Sequence, residues 1–135
     1  DGKFIELPMK TIKERDAQIV ILNIEGDLYF AAVEDLQSQI QEILDTPVKV
    51  LILRFRRAHL LASTAIMALD QLIQSARKKD IKILFCGIQE EVLEPLEDAG
   101  LLDIIGEEHI FLADDLIFGS TQRALEEAKA IINHR

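Results

Sequence analysis

Residues 48–72 read VKVLILRFRRAHLLASTAIMALDQL, and the fold turns on how this stretch changes character along its length. Val48 to Phe55 is nearly continuous apolar sequence, as expected of a strand covered on both faces in a parallel sheet. Arg56 to Ala62 interrupts the run and reads as a loop. From Ser63 the apolar residues fall at helical spacing, with Ile66, Leu69, Leu72, Ile73 and Ala76 inward. Ser63 is placed as the N-cap of that helix, its hydroxyl accepting from a backbone N–H of the first turn. A buried strand passing through a short loop into an amphipathic helix is one βα unit.

The same alternation continues in both directions. Upstream, AQIVILNI (Ala17 to Ile24) is β-branched and too short for a helix, so it reads as a strand. A turn at Glu25-Gly26-Asp27 follows, then a short strand at Leu28 to Phe30. Val33, Leu36, Ile40, Ile43 and Leu44 mark a helix that Pro47 bars from continuing. Downstream, Ile81 to Cys86 is a second buried strand, and Val92, Leu93, Leu96 and Ala99 form a short helix ended by Gly100. His109 to Leu112 is a last strand. The closing helix starts near Ser120 as N-cap and turns Leu125, Ala128, Ile131 and Ile132 inward. Residues 1–16 show no sustained period and are set apart as a linker or edge extension, leaving residues 17–135 as the domain. The order is that of an α/β sandwich, a small and mostly parallel sheet flanked by about four helices.

Composition bounds the function. The 135 residues make one domain, and 49% hydrophobic residues are enough for a real core. A net charge of -9 argues against a general binder of nucleic acid or anionic membrane, which needs a cationic face. The charge is segregated: the net is -6 over residues 1–45, +5 over 46–90 and -8 over 91–135. Arg54, Arg56, Arg57, Arg77, Lys78, Lys79 and Lys82 supply the basic centre, the cluster at residues 77–79 closing a helix. No apolar run approaches the roughly 20 residues of a bilayer span, and the chain starts at Asp1, so it is expected to be a piece of something longer.

Enzyme chemistry finds little support. No Gly-rich phosphate loop follows a strand, and the isolated glycines, Gly87 among them, read as turns or helix stops. His59, His109 and His134 are scattered, with no sequence neighbour to orient His59 and a strand edge as the simplest place for His109. Cys86, the only cysteine, ends a buried strand as a small core hydrophobe, and no Cys/His spacing suits a metal. Glu90-Glu91, Glu107-Glu108 and Glu126-Glu127 read as solvated helix faces. What remains is the loop and helix start after the second strand. A phosphate on Ser63 would meet unpaired N–H groups and the positive end of the helix dipole, with Arg56 and Arg57 close in sequence.

This loop brings a family into view. Residues 17–132 resemble the STAS domain, found in bacterial anti-sigma-factor antagonists and as the cytoplasmic C-terminal domain of SulP-type anion transporters. Antagonists carry a Gly-Glu-Leu-Asp type turn after the first strand, where this chain has Gly26-Asp27-Leu28-Tyr29. They also carry an Asp-Ser-Ser/Thr-Gly turn whose first Ser is the phosphoacceptor; here Ala62-Ser63-Thr64-Ala65 keeps the acceptor and replaces the flanking Asp and Gly. The transporter branch is closer. EGDLYFAAVEDL (Glu25 to Leu36) is similar to its Glu-Gly-Pro-Leu-Phe/Tyr-Phe pattern, and Leu53-Arg54-Phe55-Arg56-Arg57 to its basic strand exit.

The resemblance implies a non-catalytic regulatory and structural domain of a SulP-type sulfate or other anion transporter, on the cytoplasmic side of the bacterial inner membrane. Its implied partners are the transmembrane domain of the same chain and cytoplasmic proteins, with a homo-oligomer formed through the full transporter and no nucleic acid. Arg56, Arg57, His59, Ser63 and Thr64 are the expected contact residues, with no metal and no resident cofactor. Two alternatives stay open: a free-standing anti-sigma-factor antagonist switched by phosphorylation of Ser63, and a nucleotide-binding α/β module using the face near Ser63.

Overall fold

A computed structural model describes residues 4–7, 18–26, 30–113 and 119–133. Five strands form one sheet in sequential order: β1 (Phe4–Leu7), β2 (Ile19–Glu25), β3 (Val50–Arg56), β4 (Lys82–Ile88) and β5 (Ile110–Leu112). Every neighbouring pair is parallel. Helix α1 (Phe30–Leu44) lies between β2 and β3 in the chain, and α2 (Ser63–Lys78) between β3 and β4. The β4–β5 connection contains α3 (Glu90–Asp98), α4 (Leu101–Ile105) and a 3₁₀ turn at Glu107–His109; α5 (Gly119–Asn133) follows β5.

Sequential order has a geometric consequence. If each strand is laid beside the last by a right-handed crossover, every intervening helix falls on the same face of the sheet. The buried clusters follow that rule. Val20, Leu22, Ile24, Leu51, Leu53, Phe55, Ile83 and Phe85 pack with residues of α1 to α4 in one large core. The alternate strand residues Ile19, Ile21, Val50, Ile52, Leu84 and Cys86 form a second, smaller core with Ala124 and Ala128 of α5. Near-continuous apolar runs are what strands buried on both sides require.

Two helix ends are fixed by identifiable chemistry. Asp80 takes the left-handed conformation (φ +59°) just past α2, and the Ile81 N–H donates back to the Ala76 carbonyl at 2.9 Å. That pattern satisfies carbonyls the last turn leaves open. Lys79 Nζ then donates to Asp45 Oδ1 at 2.8 Å and to the Leu44 carbonyl at 3.3 Å, tying the ends of α1 and α2 together.

The elements depart from the sequence reading at several points. Phe4–Leu7, in the segment read as a linker or edge extension, is an edge strand paired with β2 and is no departure. Phe30, expected to end a short strand, opens α1. Gly100 does follow the α3 turn, with φ +81°, but the chain coils again at once into α4. Gly87 lies inside β4, where the β4–β5 register shifts between Cys86 and Ile88. Its φ is +73°, and a Cβ there would collide with the Phe55 carbonyl oxygen of β3. Ser120 sits within α5 and its Oγ accepts from the Gly87 N–H at 3.1 Å, a bond to the sheet. The buried stripe of α5 is Ser120, Thr121, Ala124 and Ala128, with Leu125, Ile131 and Ile132 only partly covered. Small side chains let this helix approach the strands closely, which a hydrophobic-period reading does not weigh.

Candidate functional site

The carboxyl ends of β2 and β3 lead into the loop that the sequence singled out. Glu25 and Arg56 are register partners, and Arg56 Nε lies 3.2 Å from Glu25 Oε1. The Gly26 N–H donates to the Arg56 carbonyl at 2.7 Å. Glu25-Gly26 and the basic strand exit, remote in sequence, therefore meet at one edge of the site. Both charged groups are well exposed, so this pair is worth little in stability.

Arg57 is left-handed, with φ +59°. A long side chain held there costs about 1–3 kcal/mol, and such strain is concentrated at functional segments. Ala58 and Leu61 are buried and pin the loop, so Arg57, His59 and Leu60 face outward between them. Leu60 is 51% exposed. His59 Nδ1 lies 3.5 Å from Glu91 Oε1 at the start of α3, an acidic partner that sequence proximity did not suggest.

At the start of α2 the sequence reading needs correction. Ala62 is the N-cap residue (φ -66°, ψ 155°) and supplies no side-chain cap. Ser63 is the first helical residue, so its hydroxyl is exposed and not used as the cap. The first turn is held by the backbone, the Ile66 N–H donating to the Ala62 carbonyl at 3.1 Å. Thr64 is also exposed and borders a shallow cleft of about 210 Å³ between α1 and α2, shared with Val33, Glu34, Met67 and Gln71. Met67 is 64% exposed. Met67 and Leu60 are the large hydrophobic side chains that stand out in solvent among the described residues.

Arg56, Arg57, His59, Ser63 and Thr64 thus lie along one surface segment at the carboxyl end of β3. Arg54 does not join them. It points to the α5 side, is 7% exposed, and its Nη1 donates to Asn23 Oδ1 at 3.3 Å. His109 likewise left its expected place. It closes the 3₁₀ turn, with Nδ1 3.2 Å from the Ile105 carbonyl and Nε2 3.4 Å from Glu127 Oε2 of α5. His134 lies outside the described residues. Among those residues no cluster of three His, Cys, Asp or Glu could hold a metal ion, and no helix is long and apolar enough to cross a membrane.

This surface, with its flanking sheet, corresponds to a known domain. The family model of the STAS domain matches residues 10–117. The chain belongs to the STAS domain family.

Solved structures share its architecture. The SulP transporter STAS domain of Vibrio cholerae is 30% identical, with a TM-score of 0.68 over 87% of this chain and 86% of that one. A sulfate transporter family protein of Wolinella succinogenes is 29% identical, with a TM-score of 0.73 over 90% of this chain and 93% of that one. In sequence, 79% of the chain is 29% identical to YvdB of Bacillus subtilis, a sulfate transporter by name. The chain spans about a fifth of the length of that relative, the matched part being 20% of it.

Leu60, Met67 and Glu91 were missed from sequence. The signal for Met67 was available: within α2 it falls between the buried positions Ala65, Ala68 and Leu69, on the outward side of the helical wheel. Leu60 and Glu91 carried no such signal, since a loop has no period and the His59–Glu91 approach depends on how α3 is set against the loop.

Proposed function

We propose that this STAS domain is the cytoplasmic regulatory and structural part of a SulP-type anion transporter, working by protein contact and not by catalysis. The likeness to SulP STAS domains supports the setting. The observation that carries the means is the exposure of Leu60 and Met67 beside Arg56, Arg57, His59, Ser63 and Thr64. Apolar anchors within a charged and polar rim are the composition of a protein–protein contact. The occupant is the transmembrane portion of the same transporter or a cytoplasmic partner, and the cationic side chains set the charge that steers it.

The test has two stages. The coding sequence upstream of Asp1 is expected to encode a series of hydrophobic spans; a reading frame without them ends the transporter reading. In the intact transporter, Met67→Asp with Leu60→Asp is expected to reduce anion uptake while the domain stays folded by circular dichroism. Uptake unchanged by the double variant would overturn the contact role of this surface.

One observation favours a second reading. The Ser63 hydroxyl is exposed at the head of a 16-residue helix and spared from capping, which leaves it open to a kinase. Incubation with a serine kinase of the anti-sigma type and ATP, followed by mass spectrometry, decides it: stoichiometric phosphate lost in Ser63→Ala supports the switch, and no incorporation removes it.

A further inference from the structure

A groove of about 580 Å³ lies at the β5 edge of the sheet, remote in sequence from the α2 surface. Its apolar lining is Leu93, Leu102, Ile110 and Leu112, all packed on the main core. Its remaining lining is acidic throughout: Glu90, Glu94, Glu97, Asp98 and Glu107. None of these carboxylates is in an ion pair among the described residues.

Fold stability does not account for this arrangement. Glu90 complements the dipole at the start of α3, but Glu97 and Asp98 lie at its other end, where negative charge is unfavourable, and no basic residue shares that last turn. Glu90, Glu94 and Asp98 also follow one another at i, i+4 spacing, so like charges are stacked along one side of a nine-residue helix. Each of these placements is unfavourable in the free domain. A cation laid across them reverses the sign.

We infer that this groove is a docking site for a basic amphipathic segment of a partner protein, its apolar side chains seated on Leu93, Leu102, Ile110 and Leu112 and its Lys or Arg residues over the α3 carboxylates. Charge complementarity selects this occupant over an anionic lipid surface or nucleic acid, which the carboxylates repel. It also disfavours a second copy seated through its own acidic surface.

The probe is a 14-residue helical peptide of Leu and Lys, titrated into the isotope-labelled 135-residue chain and followed by amide chemical shifts. A peptide of equal charge with Ser in place of Leu is the control. Saturable shifts concentrated at α3, Leu102 and residues 110–112 are expected, absent with the Ser control and weakened by rising salt. The variant carrying Glu94→Lys and Glu97→Lys alters only exposed side chains and is expected to weaken binding by about tenfold or more. Equal binding of the Ser control, shifts centred elsewhere, or a double variant within about twofold of the parent would each overturn the proposal. So would sedimentation showing that the chain dimerises through this groove at the working concentration.

Discussion

The two faces of the sheet are built on different terms. On one, four helices cover residues 20, 22, 24, 51, 53, 55, 83 and 85 with an apolar core in which Phe55 and Phe85 meet edge to face at 5.4 Å. On the other, among the described residues, one helix with a buried stripe of small residues covers a strip that is apolar at its amino end and polar at its carboxyl end. There Asn23, Arg54 and Cys86 are register neighbours across three strands. Arg54 bonds Asn23, and Cys86 Sγ lies 3.7 Å from Thr121 Oγ1. The first face is held by volume and the second by fit and pairing. The second core has fewer members than the first, so the loss of one bond there should be felt locally.

Phe85→Ala is the heaviest challenge to the first face. Removing a fully buried ring should cost about 3–5 kcal/mol, read from the urea midpoint, with little change in the slope of the transition. A cost below about 1 kcal/mol would mean that the large core repacks freely and the contrast fails.

Gly87→Ala probes the seam between the faces. The left-handed backbone and the collision with the Phe55 carbonyl should together cost about 2–4 kcal/mol by the same measurement. Ser120→Ala tests the second face alone. The Gly87 N–H loses its partner, so about 1–2 kcal/mol should go, with faster hydrogen exchange at the Gly87 amide and unchanged protection in α1. Equal loss of protection on both faces would merge them into one cooperative unit. Lys79→Met, which cuts the surface tie between α1 and α2, should change stability by about 1 kcal/mol or less.

What could be read from the sequence follows the same division. The apolar runs of β2, β3 and β4 and the periods of α1 and α2 announced themselves, because large side chains at regular spacing are what fill the first core. The second core left weaker marks. Ser120, Thr121 and Ala124 are small or polar, and of the buried stripe only Ala128 falls in the hydrophobic period of α5. Gly87 looked like a turn because the sequence does not reveal that its φ and the nearby Phe55 carbonyl meet inside a strand. At the candidate site the segment was legible, since charge after an apolar run marks a strand exit. The Ala62 cap and the Glu91 approach were not, because both depend on the packing of neighbouring elements. The groove carboxylates were visible as pairs of acids, but their shared wall exists only once α3, α4 and β5 are folded together.

Among the described residues one late helix covers the second face, which has a consequence for biogenesis. As the chain leaves the ribosome, β1 to β5 and the helices between them emerge before α5, so the first face can close while the second still waits. Until residues 119–133 are clear of the exit tunnel, Ile19, Ile21, Val50, Ile52 and Leu84 present a bare apolar strip. That interval is when a chaperone has most to protect, and the Ser120–Gly87 bond is among the contacts that end it.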